Sequence, residues 1–148
     1  MPPEFILSKK FNKIATSDYA FSALSEDGKV YLWGYLNGFN AGQEIPIEGR
    51  VTALYGLSNG FIALTDDGNA YGFGVDIPLS SQAVGSIRKV VSPRVSNGST
   101  NPAYGMAILS NTGHVYMWGS YANKLPIVDN VVDIIANNKA YAALKKEW

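Results

Sequence analysis

Short apolar runs alternate with small polar clusters that close on glycine, and this order occurs three times along the chain. The repeats read YAFSALSEDGKVYLWG from Tyr19, NGFIALTDDGNAYGFG from Asn59 and YGMAILSNTGHVYMWG from Tyr104. They end on glycines that are 40 and 45 residues apart, at Gly34, Gly74 and Gly119. Self-similarity at such a spacing indicates an array of one structural unit.

Each repeat predicts a β-hairpin. An apolar run, residues 21–24 in the first repeat, precedes the polar cluster, and a run rich in aromatic and β-branched residues, 30–33, follows it. The glycine of each cluster supplies the positive φ that a tight turn needs. Because both faces of the second strand are apolar, we expect the sheet to be covered on both sides.

Two further segments flank each hairpin. An apolar run precedes it, as at 51–56, and a proline between apolar residues follows it, as at 45–47. Proline at that place predicts an edge strand, where a missing N–H does little harm. Each unit is therefore predicted to be about four short antiparallel strands packed between two like sheets. Units of about 40–50 residues with this content form the blades of an all-β propeller.

A fourth repeat begins at Val131 and is incomplete. Within it Tyr141 and Leu144 match the apolar strand of the first repeat, and the turn glycine would fall on Trp148. At the other end, residues 2–7 are similar to the proline edge strand of a unit whose earlier strands are absent. The sequence thus predicts one domain, 1–148, with three complete blades and partial blades at both termini. The units are predicted at 11–50, 51–89 and 90–130, with 131–148 and 1–10 as the partial unit.

Partial blades expose strand edges and apolar faces, which favours association. Three arrangements would cover them: closure of one chain into a four-bladed ring, end-to-end pairing of chains, or docking on a different protein. A truncated chain is a fourth reading. We expect assembly between chains, because four blades are the small end of the propeller range. The residues predicted to mark the joining edges are Phe5, Leu7, Tyr141, Leu144 and Trp148.

The stretches SALSEDGKVYLWG and AILSNTGHVYMWG resemble the repeat of the regulator-of-chromosome-condensation (RCC) family. The segment NGFNAGQ, at 37–43, is similar to the loop that follows this repeat in the family. The resemblance covers nearly the whole chain and implies a propeller with a protein-binding surface, but no particular chemistry. The chain departs from the family in two ways. The family's histidine before the apolar strand is missing from all three repeats, and three repeats fall short of the family's seven blades.

Charge and composition exclude several classes of function. Twelve basic and twelve acidic residues give a formal net charge of zero, which argues against binding to nucleic acid or to an anionic membrane. The absence of cysteine rules out disulfides and thiolate metal sites. No apolar run reaches the length of about 18 residues that a membrane span needs, and the N-terminal residues do not resemble a secretion signal. We therefore expect a cytoplasmic protein or part of a viral particle.

Candidate chemistry is sparse. The one histidine, His114, stands in a turn position that the other repeats fill with lysine and asparagine, so we interpret it as a solvated turn residue. The acidic pairs Glu26–Asp27 and Asp66–Asp67 are interpreted as turn residues rather than calcium ligands. We predict no enzyme activity, no cofactor, and no catalytic, cofactor-binding or metal-ligating residues.

The loops after the first and third hairpins differ most between repeats, and function in a repeat propeller is expected where repeats differ. Mixtures of tyrosine and asparagine suit protein-binding surfaces. We predict a non-enzymatic interaction or structural module that completes itself by homo-oligomerisation or docks in a larger assembly, such as a phage particle. The alternative is a glycan-binding propeller with repeated sugar pockets. The candidate interaction residues are Tyr35, Asn37, Phe39, Asn40, Tyr121 and Asn123.

Overall fold

The computed structural model describes residues 10–34, 42–75, 77–93, 105–119, 129–136 and 141–146. All regular elements in these ranges are β-strands, which confirms the predicted all-β fold. The strands are β1 Phe11–Thr16, β2 Ala20–Ser25, β3 Val30–Gly34, β4 Gln43–Glu44, β5 Val51–Leu57, β6 Gly60–Thr65, β7 Asn69–Gly74, β8 Ile77–Ala83, β9 Ile87–Val91, β10 Gly105–Ser110, β11 Val115–Gly119, β12 Val131–Ala136 and β13 Tyr141–Lys145.

Within each sheet, strands that are consecutive in the chain pair antiparallel, as in propeller blades. The first sheet has the order β1-β2-β3-β4 and the second β5-β6-β7-β8. In the described residues the third sheet contains β9, β10 and β11, and the fourth contains β12 and β13. The segments predicted to end the third blade and to form the N-terminal partial blade lie outside the described residues.

The third sheet begins earlier than the predicted unit boundary at residue 90. Its first strand starts at Ile87, which pairs with Ser110 across a register shift next to Leu109. The shift is a β-bulge, which lets a strand continue past a break in its pairing. The first strands of the other sheets have the same shift, and Ile87 stands where Phe11 and Val51 stand in the first two sheets.

The hairpin turns have the geometry that the sequence predicted. In the second turn, the Thr65 hydroxyl accepts a hydrogen bond from the Asn69 backbone N–H at 3.2 Å and donates one to the Asp67 carboxylate. The bond from Thr65 holds the pKa of Asp67 below its usual value, because it stabilises the charged form. The acidic residue is therefore part of the turn. The turn glycines have φ of +84°, +85° and +85° at Gly28, Gly68 and Gly113.

The segment from β12 to β13 repeats the hairpin that starts each sheet, as the sequence indicated. Leu144 lies opposite Asp133 across this strand pair, in the register that Leu24 has in the first sheet. The Lys146 N–H donates to the Asn130 carbonyl at 2.8 Å, which joins the residue before β12 to the residue after β13. Equivalent bonds of 2.9–3.1 Å join the first two strands of the other three sheets. The fourth repeat therefore folds like the others as far as the structure describes it.

Neighbouring sheets pack face to face around apolar clusters. We call the face that meets the preceding sheet the leading face, and the opposite face the trailing face. In the first cluster, Leu24 and Leu32 on the trailing face of the first sheet meet Leu54, Phe61 and Phe73 on the leading face of the second. Two further clusters repeat this arrangement between the second and third sheets and between the third and fourth.

Candidate interaction surfaces on the two end sheets

The leading face of the first sheet is apolar and open. Ile14 is 68% exposed and Phe21 is 48% exposed. Leu54 and Phe61 occupy the same positions in the second sheet, and both are fully buried. The residue types are alike, and in the described part of the chain no sheet precedes the first one, which accounts for the difference in exposure. This face is built like a blade interior but is open to solvent.

Aromatic rings give the leading face of the first sheet a rigid surface. The rings of Phe21 and Trp33 stack with centroids 5.5 Å apart, and Phe11 meets Trp33 edge-on at 6.3 Å. The indole N–H of Trp33 is buried and has no hydrogen-bond partner among the described residues. Trp118 occupies the same position in the third sheet and donates to the Ser80 carbonyl of the preceding sheet at 3.0 Å.

The trailing face of the fourth sheet is also open. Ile135 is 58% exposed and Leu144 is 63% exposed. At the same positions Ala15 is 7% exposed and Leu109 is fully buried, because a following sheet covers each of them. Ala142 lies on the same trailing face and is exposed as well. The two open apolar surfaces are therefore one leading face and one trailing face.

The first strands of the sheets lie side by side, and one equivalent position on them is charged in three of the four sheets and is Ala53 in the second. The Lys89 ammonium on β9 meets the Asp133 carboxylate on β12 at 2.9 Å. This bond from Lys89 holds the pKa of Asp133 below its usual value. The equivalent residue of β1 is Lys13, which is exposed and lies 5.4 Å from the centre of the Tyr55 ring. The two end sheets thus carry opposite charges at equivalent positions.

Asn59 ties the second sheet to the third and was not singled out in the sequence. Its side chain is 1% exposed and donates to the Pro93 carbonyl at 2.9 Å and to the Gly105 carbonyl at 3.3 Å. The same two sheets meet where Trp118 lies on Gly72: a Cβ at residue 72 would stand 2.7 Å from the indole ring. Trp118 is a blade-packing residue.

A polar groove of about 410 Å³ lies where β1, β5 and β9 end. Polar groups of the groove bond to one another: the Asp18 N–H donates to the Ser58 carbonyl at 3.2 Å, and the Ser58 N–H donates to the Ser92 hydroxyl at 3.2 Å.

His114 is exposed in its turn, with Nδ1 3.0 Å from the Thr112 hydroxyl. The described residues include no group of three acidic or histidine side chains placed to hold a metal ion. They also include no helix with the length and hydropathy of a membrane span.

Of the residues predicted to mark interaction sites, the structure describes two. Leu144 lies on the open trailing face of the fourth sheet. Tyr141 is half-buried and packs in the cluster between the third and fourth sheets instead of on an open face. The others lie outside the described residues, and their roles stay predictions: Tyr35, Asn37, Phe39, Asn40, Tyr121, Asn123, Phe5, Leu7 and Trp148.

The fold is similar to that of solved propeller proteins, whereas no protein-family model matches the sequence. Human WBSCR16 aligns over 99% of this chain and 47% of its own, with a TM-score of 0.57 and 13% identity. The CRINKLY WD40 ectodomain of the Arabidopsis thaliana receptor kinase ACR4 aligns over 93% of this chain and 47% of its own, with a TM-score of 0.55 and 16% identity. Yeast RCC1 (Prp20), bound to Kap60, aligns over 91% of this chain and 40% of its own, with a TM-score of 0.54 and 15% identity. The chain thus has a β-propeller-type fold and spans less than half the length of each of these proteins.

Proposed function

We propose that this chain is a non-enzymatic protein-interaction module, an incomplete propeller of the RCC type that binds protein through the open faces of its end sheets. One observation carries the proposal. Ile14, Phe21, Ile135 and Leu144 occupy positions that neighbouring sheets bury elsewhere in the chain, yet they are about half to two-thirds exposed. Contiguous exposed apolar surface of this kind marks an interaction site.

Two further facts support a protein partner. Yeast RCC1, one of the proteins with a similar fold, was solved in complex with the protein Kap60. The open leading face also presents two stacked aromatic rings, those of the cross-strand pair Phe21 and Trp33. Aromatic residues are enriched at the centres of protein interfaces.

Affinity capture with matched variants tests the proposal. The full chain is immobilised and exposed to an extract of the cells that produce it, beside Phe21→Asp and Lys29→Asn. Both substitutions make the net charge more negative by one unit, but Lys29 is an exposed turn residue whose counterpart in the second repeat is Asn69. We expect proteins retained by the wild type and by Lys29→Asn, the chain itself included, to be lost with Phe21→Asp. Equal retention by all three, or no retention by any, would overturn the proposal.

A further inference from the structure

We infer that the protein covering each open face is a second copy of this chain. In this arrangement the trailing face of the fourth sheet of one copy packs on the leading face of the first sheet of the other. The inference rests on the proposed function and names its partner. It follows from the repeat of the fold, the size of the facing side chains and the charges at the junction.

The contact has a template inside the chain. A trailing face packs on a leading face three times, and each time two equivalent positions share one apolar cluster. The two faces left open are the two halves of a fourth contact of the same kind. The internal pairs are Ala15 with Leu54, Tyr55 with Val90 and Val91 with Ile134, and the next pair is Ile135 with Ile14 of the second copy.

Side-chain sizes at this fourth contact are complementary. The leading face contributes the stacked rings of Phe21 and Trp33. The trailing side chain that would face them is Ala142, which occupies the position of Ile62 in the second sheet. Inside the chain, Ile62 shares one apolar cluster with Met106 and Trp118, which occupy the positions of Phe21 and Trp33. The small side chain of Ala142 on the trailing face thus leaves space for the large rings of Phe21 and Trp33 on the leading face.

The charges at the junction are complementary as well. Lys89 and Asp133 pair across neighbouring first strands at equivalent positions. The head-to-tail contact would bring Asp133 of one copy to the position next to Lys13 of the other, whose ammonium lies over the Tyr55 ring within its own copy. Asp133 has a half-exposed side chain, so it can accept a second lysine on its open side. Opposite charges across an interface favour the correct register and suppress others.

The two faces differ, so the contact is heterologous and closes into a ring only when the rotation allows it. In a closed ring each copy would contribute one leading and one trailing face, and all junctions would be equivalent.

Thiol crosslinking tests the pairing, because the chain contains no cysteine. Ile14→Cys and Ile135→Cys are prepared separately, one with a cleavable tag so that the two differ in mass. Both positions are mainly exposed, so neither change removes a buried contact in the free chain. A short bismaleimide is added to each variant alone and to an equimolar mixture. We expect a covalent dimer in the mixture that joins one copy of each variant, and a several-fold lower yield with either variant alone.

The same outcomes separate this inference from the proposed function. Efficient crosslinking of Ile14→Cys or Ile135→Cys with itself indicates like faces meeting, which overturns the head-to-tail arrangement. Absence of crosslinks together with a native mass of 16.0 kDa also overturns it. In that case, retention of another protein that is lost with Phe21→Asp would leave the proposed function standing. If there is neither a crosslink between the two variants nor retention of another protein, both the inference and the proposed function are overturned.

In a complementary experiment, Ile14→Asp and Ile135→Asp each disable one face. We expect each variant alone to run at the mass of a single chain on a sizing column with light scattering. Their mixture retains one intact junction and should show a species of twice the 16.0 kDa chain mass. Failure of the mixture to associate, when the wild type does associate, contradicts a junction between unlike faces.

Discussion

At the scale of single residues, the buried amide of Asn59 shows how one polar side chain fixes two sheets. It replaces the tyrosines that precede the apolar strand in the other two repeats, Tyr19 and Tyr104. Both of its hydrogen-bond acceptors, the carbonyls of Pro93 and Gly105, belong to the chain around the third sheet. A buried carbonyl that loses its donor keeps the cost of its lost hydration.

We therefore expect Asn59→Ala to lower the free energy of unfolding by about 2–3 kcal/mol. Asn12→Ala is the control, since Asn12 is an exposed asparagine on β1, and it should change stability by no more than about 0.5 kcal/mol. Urea denaturation followed by tryptophan fluorescence measures both. Equal midpoints for the two variants would contradict the role of this amide in joining the sheets.

At the scale of the strand, burial depends on which sheet lies next to it. Leu109 on β10 and Leu144 on β13 occupy the same position of their sheets, but Leu109 is fully buried and Leu144 is 63% exposed. We expect Leu109→Ala to destabilise the chain by about 2–5 kcal/mol. At dilutions where the chain is a single copy, Leu144→Ala should cost about 0.5 kcal/mol or less.

Chemical denaturation of the two variants at low protein concentration makes this comparison. The substitution and the strand position are the same in both, so helix or strand propensity does not separate them. A similar loss for Leu144→Ala would mean that the trailing face of the fourth sheet is already covered in the free chain. It would then not be an open interaction surface.

The hairpins could be predicted from the sequence because their signals are local. Gly28 must adopt a positive φ in a tight turn, and apolar strands flank it on both sides. The start of β9 required a comparison of the repeats instead of a local apolar run. Ile87 stands where Phe11 and Val51 stand, across the same shift of register, so the apolar pair Val90–Val91 is only part of the strand.

The exposed positions of the site were harder to predict than the fold. Ile14 and Leu54 are similar side chains at one repeat position, and only the sheet beside them decides that one is exposed and the other buried. Leu144 was identified because the fourth repeat breaks off soon after it. Ile14, Phe21 and Ile135 would have been found by aligning the repeats and asking which copy lacks a neighbour on each side.

At the scale of the whole molecule, the described sheets have one exposed apolar leading face, on the first sheet, and one exposed apolar trailing face, on the fourth. Each internal contact buries several large apolar side chains, such as Phe61 and Phe73 in the first cluster. A junction between copies would bury the same kinds of side chain, at about 1.5–3 kcal/mol for each one fully covered. Association and folding should then be linked, since the assembled copies stabilise one another.

Thermal unfolding should therefore depend on protein concentration. For a pair of 148-residue chains, a tenfold increase in concentration adds about 1.4 kcal/mol, which raises the midpoint by about 2 °C. Ile14→Asp removes the junction, so its midpoint should be lower than that of the wild type at high concentration and independent of concentration. Scanning calorimetry over a hundredfold range of concentration measures this. If the wild type and the variant have equal midpoints that do not change with concentration, the chain does not assemble with itself and the faces stay uncovered. Assembly would raise the wild-type midpoint with concentration, because it stabilises only the folded chains.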